Sequence, residues 1–311
     1  MFHIGKDGWL FLTGGSNDVL AQYGTSWEIW RRLAAWRRLV LGRAARCRDL
    51  GAQYLHVVVP EKITVYDNKL AGLRVDARRS PARRLGRLLA LSPAGRRAWI
   101  ELVGPMRAGR DEADLYLRTD THWNFPGYLL AYRAICRACG ARARDFADRR
   151  TLAVAGVMDL ESKMPFPRAE SRIFHDLQRD AARVHAGTLV QAYEAAGRGG
   201  DLHVGAHVVY RNESAEADPR TVVLFGSSCS SYVYGMLTGA LAETFRELHF
   251  VWSANIDWAY VAGVRPELVI FEIAERFLAK VPDDAFDIEA YAAERIRDMA
   301  PAARPADAVR A

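Results

Sequence analysis

Apolar positions along this chain change period several times, and the changes mark its elements. Between residues 25 and 49, Trp27, Trp30, Leu33, Trp36, Leu39, Val40 and Leu41 recur at three- and four-residue spacing, with arginines opposite. That spacing predicts an amphipathic helix. The run YLHVVVP (54–60) is continuously apolar, β-branched and closed by proline, the pattern of a strand covered on both faces in a parallel sheet. GKDGWLF (5–11) reads as a tight turn, with glycine at the φ > 0 position, running into a short strand. Residues 76–110 are helical in period and rich in arginine, and EADLYL (112–117) is a short strand candidate. YLLAYRAICRACGA (128–141) is a helix begun by Asn124 and Pro126 and stopped near Gly140. The last third alternates: a strand at TVVLFG (221–226), a helix over 231–247, then strands at LHFVW (248–252) and LVIFEI (268–273). Such alternation predicts an α/β fold, a mostly parallel sheet flanked by helices. The weakest periodicity lies in 150–220, where RVHAGTLV and HVGAHVVYRN are strand candidates among polar loops. The expectation is one domain over 1–298, with 150–220 an irregular insertion and the Ala/Pro/Arg-rich 299–311 a flexible tail. No internal repeat is visible.

Composition narrows the function classes. The 311 residues are 50% hydrophobic, enough to bury a large core. Lys and Arg number 43 against 37 Asp and Glu, a formal charge of +6 that is spread through the chain (RRLAAWRR, ARRSPARR). Spread arginine fits solvated helix faces; the sharper alternative is attraction to an anionic sugar, a phosphate or a membrane surface. No basic helix with interleaved aromatics argues for nucleic acid, so none is expected as a partner. The four cysteines, Cys47, Cys136, Cys139 and Cys229, are too few for a disulfide framework in a chain this long. Cys136 and Cys139 lack a second pair at zinc spacing. His203 and His207 stand four apart in a strand-like region, where they would not share a helix face, so neither metal nor cofactor is expected. No apolar run reaches the ~18 residues of a spanning helix. MFHIGKDGWLFL lacks a leader pattern. The chain as written is expected in the cytoplasm, or in the periplasm if a leader is missing.

Chemistry concentrates at two places. In TDTHW (119–123), Asp120 and His122 are two apart. In an extended segment, residues i and i+2 point to one side. A carboxylate on one imidazole nitrogen fixes the tautomer and leaves the other nitrogen free to take a proton from a hydroxyl. A capping aspartate beside a core histidine would leave the same letters, and Trp123 reads as packing. The strand at 221–226 runs into FGSSCS. Ligands on open parallel sheets sit beyond the carboxyl ends of strands. A serine on that turn is presented at the sheet edge beside free backbone N–H groups, although a plain helix cap would look similar.

Five elements in order, GKDGWLF, VPEK (59–62), TDTHW, FGSSCS (225–230) and PELVIFEIAER (266–276), resemble the SGNH-hydrolase-like domain of the alginate O-acetyltransferases of the AlgX/AlgJ type. The resemblance spans roughly residues 3–280. It implies a flavodoxin-like SGNH-hydrolase fold in which the Asp-His element precedes the serine. It also implies acyl transfer onto a polysaccharide hydroxyl, with an acyl donor and a sugar acceptor as partners and other polysaccharide-biosynthesis proteins as further ones. By the same resemblance Ser228 is the nucleophile, His122 the general base and Asp120 its orienting acid. The chain departs from the family at Ser227, which stands where the family has the aspartate of Gly-Asp-Ser. Gly226, Ser227 and Cys229 flank the nucleophile as candidate oxyanion or substrate residues. Asn255 is a candidate oxyanion donor or a turn former. Lys62, next to Glu61, faces the site or solvent. Arg276 orients a substrate or pairs with Glu275. The expected activity is an O-acyltransferase, with acetyl as the expected acyl group; the alternatives are a carbohydrate acetylesterase or a catalytically weak sugar-binding component of a polysaccharide-synthesis complex. Cys229 as nucleophile is a further reading that abandons the family register.

Overall fold

The computed structural model describes residues 1–232 and 236–299. The chain opens with a hairpin, β1 (Phe2–Ile4) and β2 (Leu10–Leu12), paired antiparallel. Its turn places Asp7 and Gly8 at φ 54 and 78, the region the Lys-Asp-Gly sequence predicts. Helix α1 (Trp27–Asp49) then leads to β3 (Gln53–Val59). α1 buries Leu33, Trp36 and Val40 as its period requires, but Trp27 and Trp30 are 73% and 41% exposed. They stand on the first helical turn, and Trp30 meets the Arg84 guanidinium at 5.5 Å instead of the core.

Past β3 come α2 (Lys62–Val65), α3 (Pro81–Leu89), α4 (Pro93–Ala98), β4 (Trp99–Ile100) and α5 (Val103–Gly109). The Arg-rich stretch is therefore a set of short pieces and not one helical run. Two Ser-Pro pairs cut it: Ser80 and Ser92 accept from the N–H groups of Arg83 and Gly95, each with proline at the start of a new helix. Residues 112–117 form no strand of the sheet. They make one isolated bridge, Tyr116 to Trp123, on the way into α6 (Phe125–Cys139). α6 is capped by Asn124 and ended by Gly140 at φ 73, as its sequence signals.

Residues 150–220, expected to be an irregular insertion with two strand candidates, hold four complete strands among loops, and both candidates overlap strands. β5 (Thr151–Gly156) and β6 (Glu170–His175) pair as a two-stranded arm. β7 (Ala181–Ala186), α7 (Thr188–Ala195) and β8 (His207–Asn212) follow. The final third runs β9 (Asp218–Gly226), α8 (Leu237–Ala242), β10 (Phe245–Trp252), α9 (Trp258–Val264), β11 (Leu268–Ala274) and α10 (Ile288–Met299). The helix expected over 231–247 is, among the described residues, only α8, because Phe245 already belongs to β10. The expected tail beyond Met299 lies outside the described residues.

The main sheet has seven strands in the order β4-β3-β11-β9-β10-β8-β7. Pairings from β4 through β10 are parallel; β8 and β7 extend that edge antiparallel. The expected mostly parallel, helix-flanked sheet of the SGNH fold is what the chain forms. Each parallel strand is covered on both faces. Leu55, Val57, Leu224 and Ile270 pack with α6 and α8, while Val58, Phe225, Phe271 and Ile273 pack with α1 and α3. Among the described residues no helix is long and apolar enough to cross a membrane.

One close approach seats α6. A Cβ on Gly127 would lie 2.2 Å from the Leu115 carbonyl oxygen and 3.1 Å from the Trp123 side chain. Gly127→Ala is therefore expected to cost about 2–4 kcal/mol, an overpacking penalty with little room to relax. Gly104→Ala in α5, where a Cβ would meet only the Glu101 carboxylate at 3.8 Å, should be neutral or stabilising by about 0.5–1 kcal/mol. Equilibrium denaturant unfolding of the two variants checks both values.

Candidate active site

β9 ends at Gly226, and the chain turns at once into a single 3-10 turn, Ser228–Ser230. The turn is tight because Gly226 has no side chain: a Cβ there would lie 2.9 Å from that of Ser230 and 3.0 Å from the Phe250 ring. Ser228 is half-buried at the carboxyl edge of the sheet, while Ser227, Cys229 and Ser230 on either side are buried. His122 comes to it from 106 residues away. Its Nε2 is 2.8 Å from Ser228 Oγ, and its Nδ1 is 2.6 Å from Asp120 Oδ1.

Asp120 and His122 meet by a turn and not on an extended strand. The Asp120 Oδ1 that contacts the ring also accepts the His122 backbone N–H at 2.8 Å, so the carboxylate folds its own loop while it orients the imidazole. Burial opposes the charge on Asp120. The hydrogen bonds from the His122 side chain and backbone, with the His122 and Arg172 charges, outweigh burial and hold the carboxyl at about 2. Ionised Asp120 makes Nδ1 the protonated nitrogen and leaves Nε2 as the acceptor facing Ser228.

Since no sheet strand carries this loop, side chains hold it. The Lys62 ammonium donates to the carbonyls of Leu117, Arg118 and Asp120 at 3.0, 2.7 and 2.7 Å. Glu170, at the start of β6, accepts from the N–H groups of Arg118 and Thr119 at 2.9 and 2.8 Å. Asp159 accepts the Thr121 N–H at 2.9 Å and also its hydroxyl. Trp123, fully buried, donates from Nε1 to the Cys229 carbonyl at 2.9 Å. That bond ties the Asp-His loop directly to the Ser turn. Asp120, His122 and Asp159 have ligand atoms within 4.8 Å of one another, but the Asp159 carboxylate is committed to Thr121.

Three of the residues singled out from the sequence, Lys62, Arg276 and Cys229, do something else, and Asn255 takes the turn-forming alternative of its two readings. Lys62 is 2% exposed and neither faces solvent nor points at a substrate position; its three donors are spent on the loop. Arg276 pairs with Glu61 at 2.9 Å, both buried, and not with Glu275. Glu275 instead accepts the N–H groups of Glu61 and Ala82 and the Thr64 hydroxyl. Asn255 accepts the N–H groups of Asp283 and Asp284 at 3.1 and 3.0 Å, so it is a turn anchor. Cys229 is 1% exposed, and burial pushes its thiol well above the ordinary range, which removes it as a nucleophile. Its backbone N–H donates to Ser227 Oγ at 3.3 Å.

Above Ser228 lies a cavity of about 200 Å³ walled by Arg172, Leu202, His203, Met236 and Trp252. His203 stacks on Trp252 at 4.8 Å. At Gly200 this cavity shares its wall with a larger groove of about 870 Å³ lined by Phe174, Arg183, Tyr210 and Tyr232. Most of these residues come from 150–220, where Arg183, His203 and Tyr210 fall in the two strand candidates but no spacing marked any of them as lining a groove. The acidic residues Asp159 and Glu170 were equally silent, because a carboxylate that accepts backbone N–H groups leaves no spacing signature.

A family model described as "SGNH hydrolase-like domain, acetyltransferase AlgX" matches residues 2–172, just over half of the chain. The chain belongs to this family. It is an SGNH-type enzyme, and the matched span contains Asp120 and His122 but stops short of Ser228. No significant match was found among curated proteins. Solved structures that share the fold include three bacterial proteins. The O-acetyltransferase domain of Pseudomonas putida AlgJ is 18% identical, with a TM-score of 0.58 over 94% of this chain and 98% of its own. Bacillus cereus PatB1 is 16% identical, with a TM-score of 0.60 over 93% and 98%. A DHHW family protein from Eubacterium siraeum is 11% identical, with a TM-score of 0.57 over 78% and 86%.

Lys62 gives this family member a measurable pH signature. Burial lowers its ammonium to about 8, below the ~10.4 of an exposed lysine. The folded lysine thus loses its proton first. Between about pH 8 and 10.4 the unfolded chain holds more protons, and stability contributed through this group rises with pH. The unfolding free energy of wild type minus that of Lys62→Met should shift in favour of wild type by about 3 kcal/mol across that window. Urea titrations at fixed ionic strength from pH 7 to 10.5 measure it.

Proposed function

We propose that the protein is an O-acetyltransferase that places an acetyl group on a hydroxyl of a polysaccharide or related sugar, through an acyl-enzyme on Ser228. The observation that carries this reading is the unbroken line of contacts from Asp120 Oδ1 to His122 Nδ1 and from His122 Nε2 to Ser228 Oγ, at 2.6 and 2.8 Å. In the first half-reaction His122 Nε2 takes the Ser228 proton as Oγ attacks the carbonyl carbon of the acyl donor. Ionised Asp120 steadies the imidazolium, which returns the proton to the leaving group. The oxyanion lies against the amide end of the Ser228–Ser230 turn. The Cys229 N–H is spent on Ser227 Oγ, so the Ser228 N–H is the donor that fits. In the second half-reaction a sugar hydroxyl gives its proton to His122 and attacks the acetyl carbon, which regenerates Ser228. Water in place of the sugar would make the same site an esterase.

The fold shared with a domain named as an O-acetyltransferase supports the reaction class. The groove supports a sugar acceptor. Phe174, with Arg172 over its ring at 4.5 Å, and the mostly buried Tyr210 and Tyr232 line it with aromatic groups, and Arg183, paired with Glu194 at 2.6 Å, adds polar groups beside them. Tyr232 is 7% exposed, and among the described residues its buried hydroxyl has no hydrogen-bond partner, a donor and acceptor for a ligand hydroxyl.

Two measurements test the proposal. Incubated with 4-nitrophenyl acetate, wild type is expected to gain one acetyl mass on the peptide containing Ser228, and Ser228→Ala to gain none and to lose about three to four orders of magnitude in nitrophenol release; equal rates would refute the acyl-enzyme. Tyr232→Phe is expected to raise KM for an oligosaccharide acceptor about 3- to 10-fold, the worth of one hydrogen bond, while hydrolysis of the small ester stays within about 2-fold.

A further inference from the structure

The Ser turn is bound to a carboxylate that the reaction does not use. Glu272, on β11, is 1% exposed. Its two oxygens accept three donors, all from residues flanking Ser228. Ser227 N–H donates to Oε2 at 2.9 Å, Ser227 Oγ to Oε1 and Oε2 at 2.9 and 3.1 Å, and Ser230 Oγ to Oε2 at 2.7 Å. Pairing between β11 and β9 ends at Phe271 with Phe225. Glu272 is the next residue along, at the level where β9 leaves the sheet. The side chain thus takes over from the backbone ladder and grips the turn one residue before Ser228 and two residues after it. A serine fixed on both sides cannot swing away from His122 Nε2, and a shift of about 1 Å in such a contact is costly to rate.

We infer that Glu272 is the positioning residue for the Ser228 turn, and that position 227 carries a hydroxyl because the carboxylate of this turn is supplied from β11. The inference rests on the reading of Ser228 as nucleophile. A second carboxylate at 227 would stand within hydrogen-bond distance of the Glu272 oxygens, and like charges so close cannot both ionise. Burial pushes the Glu272 carboxyl above its ordinary range, against the pull of the Ser227 and Ser230 donors. Among the ionisable groups acting on or near this carboxylate are Arg276, just past β11, and the Cys229 thiol.

Three variants decide it: Glu272→Gln, Ser227→Asp and the two combined. Glu272→Gln turns one acceptor into a donor against the turn. It is expected to lower kcat for Ser228 acetylation by 4-nitrophenyl acetate about 10- to 100-fold, with KM within about 2-fold. Ser227→Asp is expected to unfold more easily as pH rises from 5 to 8. The introduced carboxyl has a folded pKa raised above its unfolded value, so its stability contribution is lost as pH rises through the folded pKa. Adding Glu272→Gln should abolish that pH dependence and recover most of kcat. Equal kcat for wild type and Glu272→Gln would overturn the positioning role. Failure of wild type to acetylate at Ser228 would overturn the functional reading instead. In that event the pH-dependent melting of the variants still decides whether Glu272 holds the turn, and identical pH profiles for Ser227→Asp and the double variant would overturn it.

Discussion

The loop that presents Asp120 and His122 rests on a buried ammonium ion. Lys62 converges on three carbonyls of that loop, and it begins the short helix that follows β3. Beneath it, Glu61 and Arg276 pair and Glu275 caps two backbone N–H groups. The sheet's carboxyl edge is thus a platform of buried charge, each ion matched by partners. Such a platform costs desolvation, which the depression of Lys62 to about 8 records. In return it fixes irregular backbone where no strand can. Asp120 and His122 are placed by this platform from below and by Trp123 from the side.

How much of this was legible follows from the kind of interaction involved. β3, β9 and β11 announced themselves because burial on both faces demands uninterrupted apolar residues, and α6 because Asn124, Pro126 and Gly140 are cap chemistry. Asp120 and His122 were legible because their partnership is local. Residues 112–117 misled because a short apolar run reads alike whether it enters a sheet or lines a loop. Trp27 and Trp30 misled because helical spacing assigns a face but not where the core ends along the helix. Lys62, Glu170, Asp159 and Glu272 were invisible as supports. Each acts across 40 or more residues on backbone groups or, for Asp159, across 38, and a backbone N–H has no letter in the sequence. The role of Ser228 was carried by family resemblance; its distance from His122 is a property of the folded sheet alone.

Ser227 is the position at which this chain departs from the pattern it otherwise resembles. The departure coincides with a neighbouring-strand carboxylate seated on the same turn. In this chain the Ser227 hydroxyl and the Glu272 carboxylate meet at that turn.

The β5–β6 arm reaches the Asp-His loop through two carboxylates. Glu170 lies at the base of β6 and holds the backbone of Arg118 and Thr119, while Asp159, from the connection between the two strands, holds Thr121. Leu152, Val154 and Ile173 on the same arm are exposed. Two carboxylates of the arm thus grip the backbone immediately before and after Asp120, so a displacement of the arm would carry the Asp-His loop with it.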